Sequence, residues 1–118
     1  MNNQDWQTRT RLLVGDQGLK KLSESHVLVA GLGGVGAYAA EQLARAGVGK
    51  LTLVDGDTVH NSNRNRQLPA LISTLGLPKT EVVAARLRDI NPDIELVLVN
   101  AYIKDQQLID LVEQPYDY

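Results

Sequence analysis

Val27-Leu28-Val29-Ala30-Gly31-Leu32-Gly33-Gly34-Val35-Gly36 joins a short apolar run to a glycine-rich turn, and helix-forming residues follow from Ala37 to Ala46. Nineteen residues after Gly36, a second apolar run, Leu51-Thr52-Leu53-Val54, ends in Asp55. Strand, glycine turn, helix and acid-tipped strand in this order make a nucleotide-binding unit. Gly31, Gly33 and Gly36 satisfy G-x-G-x-x-G, and Gly34 is an extra glycine. Such glycines let the backbone turn tightly and let a phosphate come close. The helix that follows offers free N–H groups and a partial positive charge. Asp55 is placed either to accept hydrogen bonds from a ribose hydroxyl or to cap the next turn. Taken alone, these residues fit a nicotinamide or flavin dinucleotide as well as another nucleotide.

Working outward, Met1 to Gln4 is polar and reads as a frayed end. From Trp6 to Leu22 the pattern is mixed and is interrupted by Gly15 and Gly18, as expected for one or two short helices. Val27–Ala30 reads as the first strand, buried and parallel. The first core helix is expected over Gly34–Ala46, with Ala39, Ala40, Leu43, Ala44 and Ala46 as its packing face and Gly47 and Gly49 ending it. Leu51–Val54 is the second strand. Asp57–Leu75 is long, polar and without period, the mark of a functional or mobile loop. Pro78 opens a second helix running to Asp89, with Val82, Val83, Leu87 and Ile90 inside. Asn91-Pro92 stops it, and Ile94–Val99 is the third strand. Asp105 is expected to cap a third helix, Gln106–Glu113, burying Leu108, Ile109, Leu111 and Val112.

The order β-α-β-α-β-α argues an α/β, Rossmann-like, doubly wound and mainly parallel sheet. Residues 1–25 form an N-terminal helical segment and 26–118 the nucleotide-binding core. Such a fold expects another buried strand next, and Tyr116-Asp117-Tyr118 reads as its beginning. The chain is therefore expected to be the N-terminal part of a larger domain.

Bulk properties exclude several classes. The 118 residues are 43% hydrophobic and carry a net charge of -2. That length suits one domain with a real core. The charge makes the chain as a whole no electrostatic nucleic-acid binder. There is no cysteine, so these residues hold no disulfide, thiolate zinc site or cysteine nucleophile. No apolar run reaches the roughly 18 residues of a membrane span. The polar N-terminus is no signal peptide, and a cytoplasmic location is expected.

The loop after the second strand narrows the chemistry. Asn63, Arg64, Arg66 and Gln67 stand close together, and Lys79 follows at the head of the next helix. Guanidinium groups grip phosphate bidentately and lysine adds a point charge. A dehydrogenase needs few of these cations, unless it reads a 2′-phosphate. Attack at the α-phosphorus of ATP needs them to neutralise a triphosphate and the leaving pyrophosphate. A merely solvated polar loop is the plain alternative. Asp57, two residues beyond Asp55, adds a second acid that needs a cation or Arg beside a phosphate site. His26 and His60 are read as structural or exposed rather than catalytic.

Gly31-Leu32-Gly33-Gly34-Val35-Gly36, Asp55-Gly56-Asp57, Ser62-Asn63-Arg64-Asn65-Arg66-Gln67, Pro78-Lys79 and Asn91-Pro92 together resemble the E1-like adenylating enzymes. That family includes the activators of ubiquitin-like proteins and of the sulfur carriers of thiamine and molybdopterin synthesis. The resemblance covers roughly residues 9 to 118. Within it, Arg9–Gly15, Leu43–Gly47 and Asn65–Leu71 are most similar to the bacterial tRNA threonylcarbamoyladenosine dehydratases.

The resemblance implies the following roles. Gly34 lies beside the nucleotide phosphates, in the turn formed with Gly31, Gly33 and Gly36. Asp55 holds the ATP ribose. Asn63 and Arg66 contact the phosphates, and Lys79 reaches them. Arg11 acts as an arginine finger delivered across a homodimer interface. ATP is used with Mg²⁺, whose aspartate ligand lies past residue 118, so no metal ligand is assigned here. The implied activity is ATP-dependent adenylation of a carboxylate. The favoured carboxylate is the threonylcarbamoyl group of a tRNA; the alternative is the C-terminus of a ubiquitin-like sulfur-carrier protein. Lys20, Lys21, Arg45, Arg64 and Arg66 either form a local basic patch for tRNA or are scattered surface charge. Two readings of other classes stay open: an NAD(P)-dependent oxidoreductase, and a non-catalytic nucleotide-binding or dimerisation module.

Overall fold

A computed structural model describes residues 5–102 and 106–118. The expectations for Met1–Gln4, for the Asp105 cap and for the Leu108 side chain lie outside the described residues. After a 3-10 turn, Asp5–Gln7, the elements are α1 (Thr8–Ser23), β1 (His26–Ala30), α2 (Gly36–Ala46), β2 (Lys50–Val54), α3 (Lys79–Ile90), β3 (Glu95–Val99) and α4 (Gln106–Val112). Two further 3-10 turns, Asn61–Asn63 and Ile72–Thr74, lie between β2 and α3.

The three strands form one parallel sheet in the order β1-β2-β3. Register is set by pairs such as Val27 with Leu51 and Leu51 with Leu96. β2 is the middle strand and buries Leu51 to Val54 without a break, as a strand covered on both faces must. The α/β fold read from the β-α-β-α-β-α order is therefore observed. Tyr116–Tyr118 runs along the free edge of β1: the Leu28 N–H donates to the Tyr118 carbonyl (3.0 Å), and the Asp117 N–H to that of His26 (2.8 Å). That edge is opposite β2, because backbone groups of successive strand residues point to alternate sides.

α2 packs on β1 and against α3. Its buried face is Ala37, Ala40, Glu41 and Ala44, whereas Ala39 points outward. The helix begins at Gly36 rather than Gly34, and its inner face is the one packed on β1 and α3. α2 ends at Gly47 in the left-handed conformation (φ 103°), where a Cβ would be strained. α3 buries Val83, Ala84 and Leu87, with Val82 and Ile90 half-buried. Full burial of Leu51, Leu53 and Leu87 contributes roughly 1.5–3 kcal/mol apiece. α1 is two helical pieces joined at Gly15 (φ 75°). Its end meets the turn before β2, where the Gly49 N–H donates to the Leu22 carbonyl.

α4 departs from expectation. Ile109 and Val112 are exposed, and Leu111 is half-buried. An open groove of about 320 Å³ lined by Val99, Ala101 and Leu111 separates the helix from the end of β3, and Ile109 and Val112 are left uncovered. Among the described residues no helix is long and apolar enough to cross a membrane.

Candidate functional site

The three strands end on one side of the sheet, and their exit loops converge there. Ligands of open parallel sheets bind at that edge. A cleft of about 270 Å³ is lined by Ala30, Gly31, Val54, Asp55, Gly56, Ala101 and Tyr102. A Cβ on Gly56 would stand 2.4 Å from the Tyr102 backbone nitrogen, so only glycine lets the exits of β2 and β3 meet.

Asp55 pins the glycine turn. Its Oδ2 accepts the Leu32 N–H at 2.7 Å and its Oδ1 the Asp57 N–H at 2.8 Å. Each carboxylate oxygen keeps acceptor capacity for a ribose hydroxyl. Within the turn, Gly31 takes φ 90°. A Cβ on Gly36 would stand 1.7 Å from the Gly31 carbonyl oxygen, so helix α2 starts only because that position is bare. Around Gly34 nothing lies within 4 Å of a notional Cβ. Packing gives no reason for glycine there; an approaching ligand would. Gly33 faces Gln67, whose Nε2 would lie 3.4 Å from a Cβ at Gly33. The Gln67 Oε1 is buried and has no hydrogen-bond partner.

The loop after β2 is ordered. Thr58 and Pro78 form an antiparallel bridge. The Val59 N–H donates to the Leu77 carbonyl (2.9 Å), and the Lys79 N–H to that of Asp57 (3.1 Å). This clamp brings the head of α3 to Asp57. The Lys79 side chain is 5% exposed, and its Nζ lies 3.4 Å from Asp57 Oδ2. The cation that a second acid at this place calls for is thus Lys79. Asp57 Oδ1 also accepts the Thr58 N–H (2.8 Å) and faces His60 Nε2 at 2.9 Å. The His60 hydrogen bond first, then Thr58 and the Lys79 charge, hold the Asp57 carboxyl below the usual carboxylate range against the opposing effect of burial. Tyr102 is exposed; its hydroxyl is pushed up by desolvation and by the charges of Asp57 and Asp55.

Asn63 is buried and builds the turn, its Oδ1 accepting the His60 N–H at 2.9 Å. Arg66 is exposed and tied to its own loop, donating to the Ser62 carbonyl (3.1 Å) and Asn65 Oδ1 (2.7 Å). Arg64 donates to Asn61 Oδ1. The structure therefore gathers Gly31, Gly33, Gly34, Gly36, Asp55, Asp57, Asn63, Arg66 and Lys79 at or beside one edge of the sheet.

It does not bring Arg11 there. Arg11 lies in α1 beside Asp16 (Nε to Oδ1 2.9 Å, off the line of a hydrogen bond) in a crevice with Leu19, Lys20 and Ser23. That crevice sits toward the opposite end of the sheet, where Ser23 meets Gly49. The candidate basic patch also divides. Lys20, Lys21 and Arg45 lie in the last turns of α1 and α2, away from the loop that carries Arg64 and Arg66.

Sequence reasoning assigned no role to Gln67, Gly56 or Tyr102 and set His60 aside. The signals available were Gly56 between two acids and the fact that parallel strands deliver all their exit loops to one edge.

Known proteins share this fold and much of this sequence. The tRNA threonylcarbamoyladenosine dehydratase of Bacillus subtilis is 46% identical over 111 residues, covering 94% of this chain and 42% of that protein. The molybdopterin-synthase adenylyltransferase of Escherichia coli is 45% identical over 97 residues, covering 82% of this chain and 39% of that protein. The crystal structure of the E. coli tRNA N6-threonylcarbamoyladenosine dehydratase in complex with ATP superposes with a TM-score of 0.92 at 38% identity, over 96% of this chain and 46% of that one. The chain thus spans less than half the length of these relatives. The model of the ThiF family matches residues 7–118, and the chain belongs to that family.

Proposed function

We propose that these residues form the ATP-binding part of an enzyme that adenylates a carboxylate, and that the carboxylate is the threonylcarbamoyl group of a tRNA adenosine. The observation that carries the reading is the joining of the Asp55-pinned glycine turn to a buried lysine, Lys79, through Asp57 at a single sheet edge. The ATP complex of the E. coli relative supports it.

In this reading the N–H groups at the head of α2 and the open space at Gly34 receive phosphate. The spare lone pairs of Asp55 receive ribose hydroxyls. Arg66 and Lys79 offset the charge that grows on the phosphates as the carboxylate oxygen bonds to the α-phosphorus and pyrophosphate departs. No general base is required, because a carboxylate is already ionised near neutral pH. A side-chain or carbamoyl oxygen of the same group then displaces AMP, closing a ring with net loss of water. Arg11, remote from the edge within one chain, would serve only when delivered by a second copy. Mg²⁺ arriving with ATP would take most of its ligands from phosphates and water and only one or two carboxylates from protein. Among the described residues no group of three or more His, Cys, Asp or Glu could hold a metal ion by itself, and the steps above rest on this chain's own cations. With a tRNA substrate, the reading goes with a cytoplasmic reaction.

A second reading, activation of a ubiquitin-like sulfur carrier, is favoured by the identity to the molybdopterin-synthase adenylyltransferase. ATP–pyrophosphate exchange by the complete protein separates the two. Exchange stimulated by threonylcarbamoylated tRNA supports the first; exchange stimulated only by a carrier protein ending in a free carboxylate replaces it with the second. Exchange with neither removes both.

A further inference from the structure

His60 is exposed, belongs to no cluster that does chemistry, and still makes the best-formed side-chain contact to Asp57. The loop holds it there: its backbone N–H is fixed by Asn63 Oδ1 at 2.9 Å, and its ring Nε2 reaches Asp57 Oδ1 at 2.9 Å. A carboxylate only accepts hydrogen bonds, so that ring nitrogen carries the hydrogen. Asp57 Oδ1 is thereby occupied by His60 and Thr58, which leaves Oδ2 to face Lys79 Nζ at 3.4 Å. The Lys79 side chain, an ammonium on a flexible four-carbon stem, is 5% exposed. An isolated buried ammonium is strongly disfavoured, so the orientation of Asp57 decides where that charge sits.

We propose that His60 is a positioning residue: it fixes the rotation of the Asp57 carboxylate so that the buried Lys79 ammonium is presented at the edge where the glycine turn lies. The inference rests on the ATP-site reading for its consequence, though not for its geometry. Asp55 and Tyr102 are the other titratable groups near Asp57. Asp55 repels Asp57 and cannot replace His60. The Tyr102 hydroxyl also faces the Asp57 carboxylate, but from a side chain that is 64% exposed and that the loop does not hold as it holds His60.

Two variants test it. In His60→Phe the ring stays but the donor is lost; in His60→Gln the amide nitrogen takes the place of Nε2. Two readouts are needed on the full chain: ATP affinity by calorimetry, and the titration of the Asp57 side-chain carboxyl by carbon NMR. His60→Phe is expected to bind ATP about fivefold more weakly with its fold content retained and Tm lower by only a few degrees, because the His60–Asp57 bond also belongs to the unliganded fold. His60→Gln should stay within about twofold of wild type. The Asp57 carboxyl should titrate higher in His60→Phe and return in His60→Gln. Wild-type ATP affinity in His60→Phe overturns the positioning role while leaving the ATP site intact. If the wild-type chain binds no ATP, the functional reading falls, and the Asp57 titration alone decides the geometry: no upward movement in His60→Phe overturns it, and a movement restored by Gln sustains it.

Discussion

Asp55→Asn is nearly isosteric and removes one acceptor. In the native turn both carboxylate oxygens are used, by the Leu32 N–H at 2.7 Å and the Asp57 N–H at 2.8 Å. Asparagine offers a single acceptor oxygen and turns an NH₂ group toward the other N–H. Leu32 is completely buried, so water cannot replace a lost partner at that end. Leaving a buried donor unsatisfied costs about 1–3 kcal/mol, and the bonds lost are charge-assisted. A loss of roughly 2 kcal/mol corresponds to a Tm drop of about 8 °C for a domain of this size. Urea denaturation followed by circular dichroism measures it, with the slope unchanged if only the folded state is affected. Asp55→Asn is also expected to weaken nucleotide binding, through the altered turn and the lost acceptor. A variant as stable as wild type would refute the claim that Asp55 holds the turn before any ligand arrives.

The glycines of the turn divide by what surrounds them. Gly36→Ala forces a Cβ to within 1.7 Å of the Gly31 carbonyl oxygen; the backbone must shift, and a loss of at least about 1–3 kcal/mol is expected in the same urea assay. Gly34→Ala meets nothing within 4 Å, so stability should hold within about 0.5 kcal/mol while ATP affinity falls, as calorimetry would show. Glu41 carries a pH prediction. Its carboxyl is held below its ordinary 4.5 chiefly by the hydrogen bond from Arg86, with Arg45 adding to it and burial opposing. The folded state thus binds that proton more weakly than the unfolded chain, so the contribution is complete above about pH 4.5 and fades as pH falls through the lower folded value. Urea midpoints measured from pH 7 downward should fall more steeply for wild type than for Glu41→Gln below pH 4.5; parallel curves would contradict it.

The sheet and the glycine turn were legible because both depend on local pattern. β-branched runs, glycine punctuation and Asp55 at a strand end lie within 29 residues, 27 to 55, and backbone chemistry fixes what they do. The helix faces were less legible. The inner face of α2 is set by what it packs on, β1 and α3, so Ala37 is inside and Ala39 outside. In α4, Ile109 and Val112, read as buried, stand exposed because burial depends on what lies underneath, and Ile109 carries no mark of that. At the site, the residue types at Asp55, Asn63, Arg66 and Lys79 suggested phosphate chemistry, yet their partners were hidden. The Asp57–Lys79 pair spans 22 residues and exists because Thr58 bridges Pro78. His60 gave no signal of its own, since a histidine in a polar loop is ordinarily solvated. Tyr102 reaches the cleft only through Gly56, a contact between two loops that no periodicity announces.

The central claim is that the Asp55-pinned turn and Lys79 form one site for ATP. Calorimetric titration of the chain with ATP and with NAD, repeated on Lys79→Ala, tests it most directly. The account predicts binding of ATP in preference to NAD, and ATP affinity at least tenfold weaker in Lys79→Ala at a similar fold content. Preferential binding of NAD, or full ATP affinity without Lys79, would contradict it.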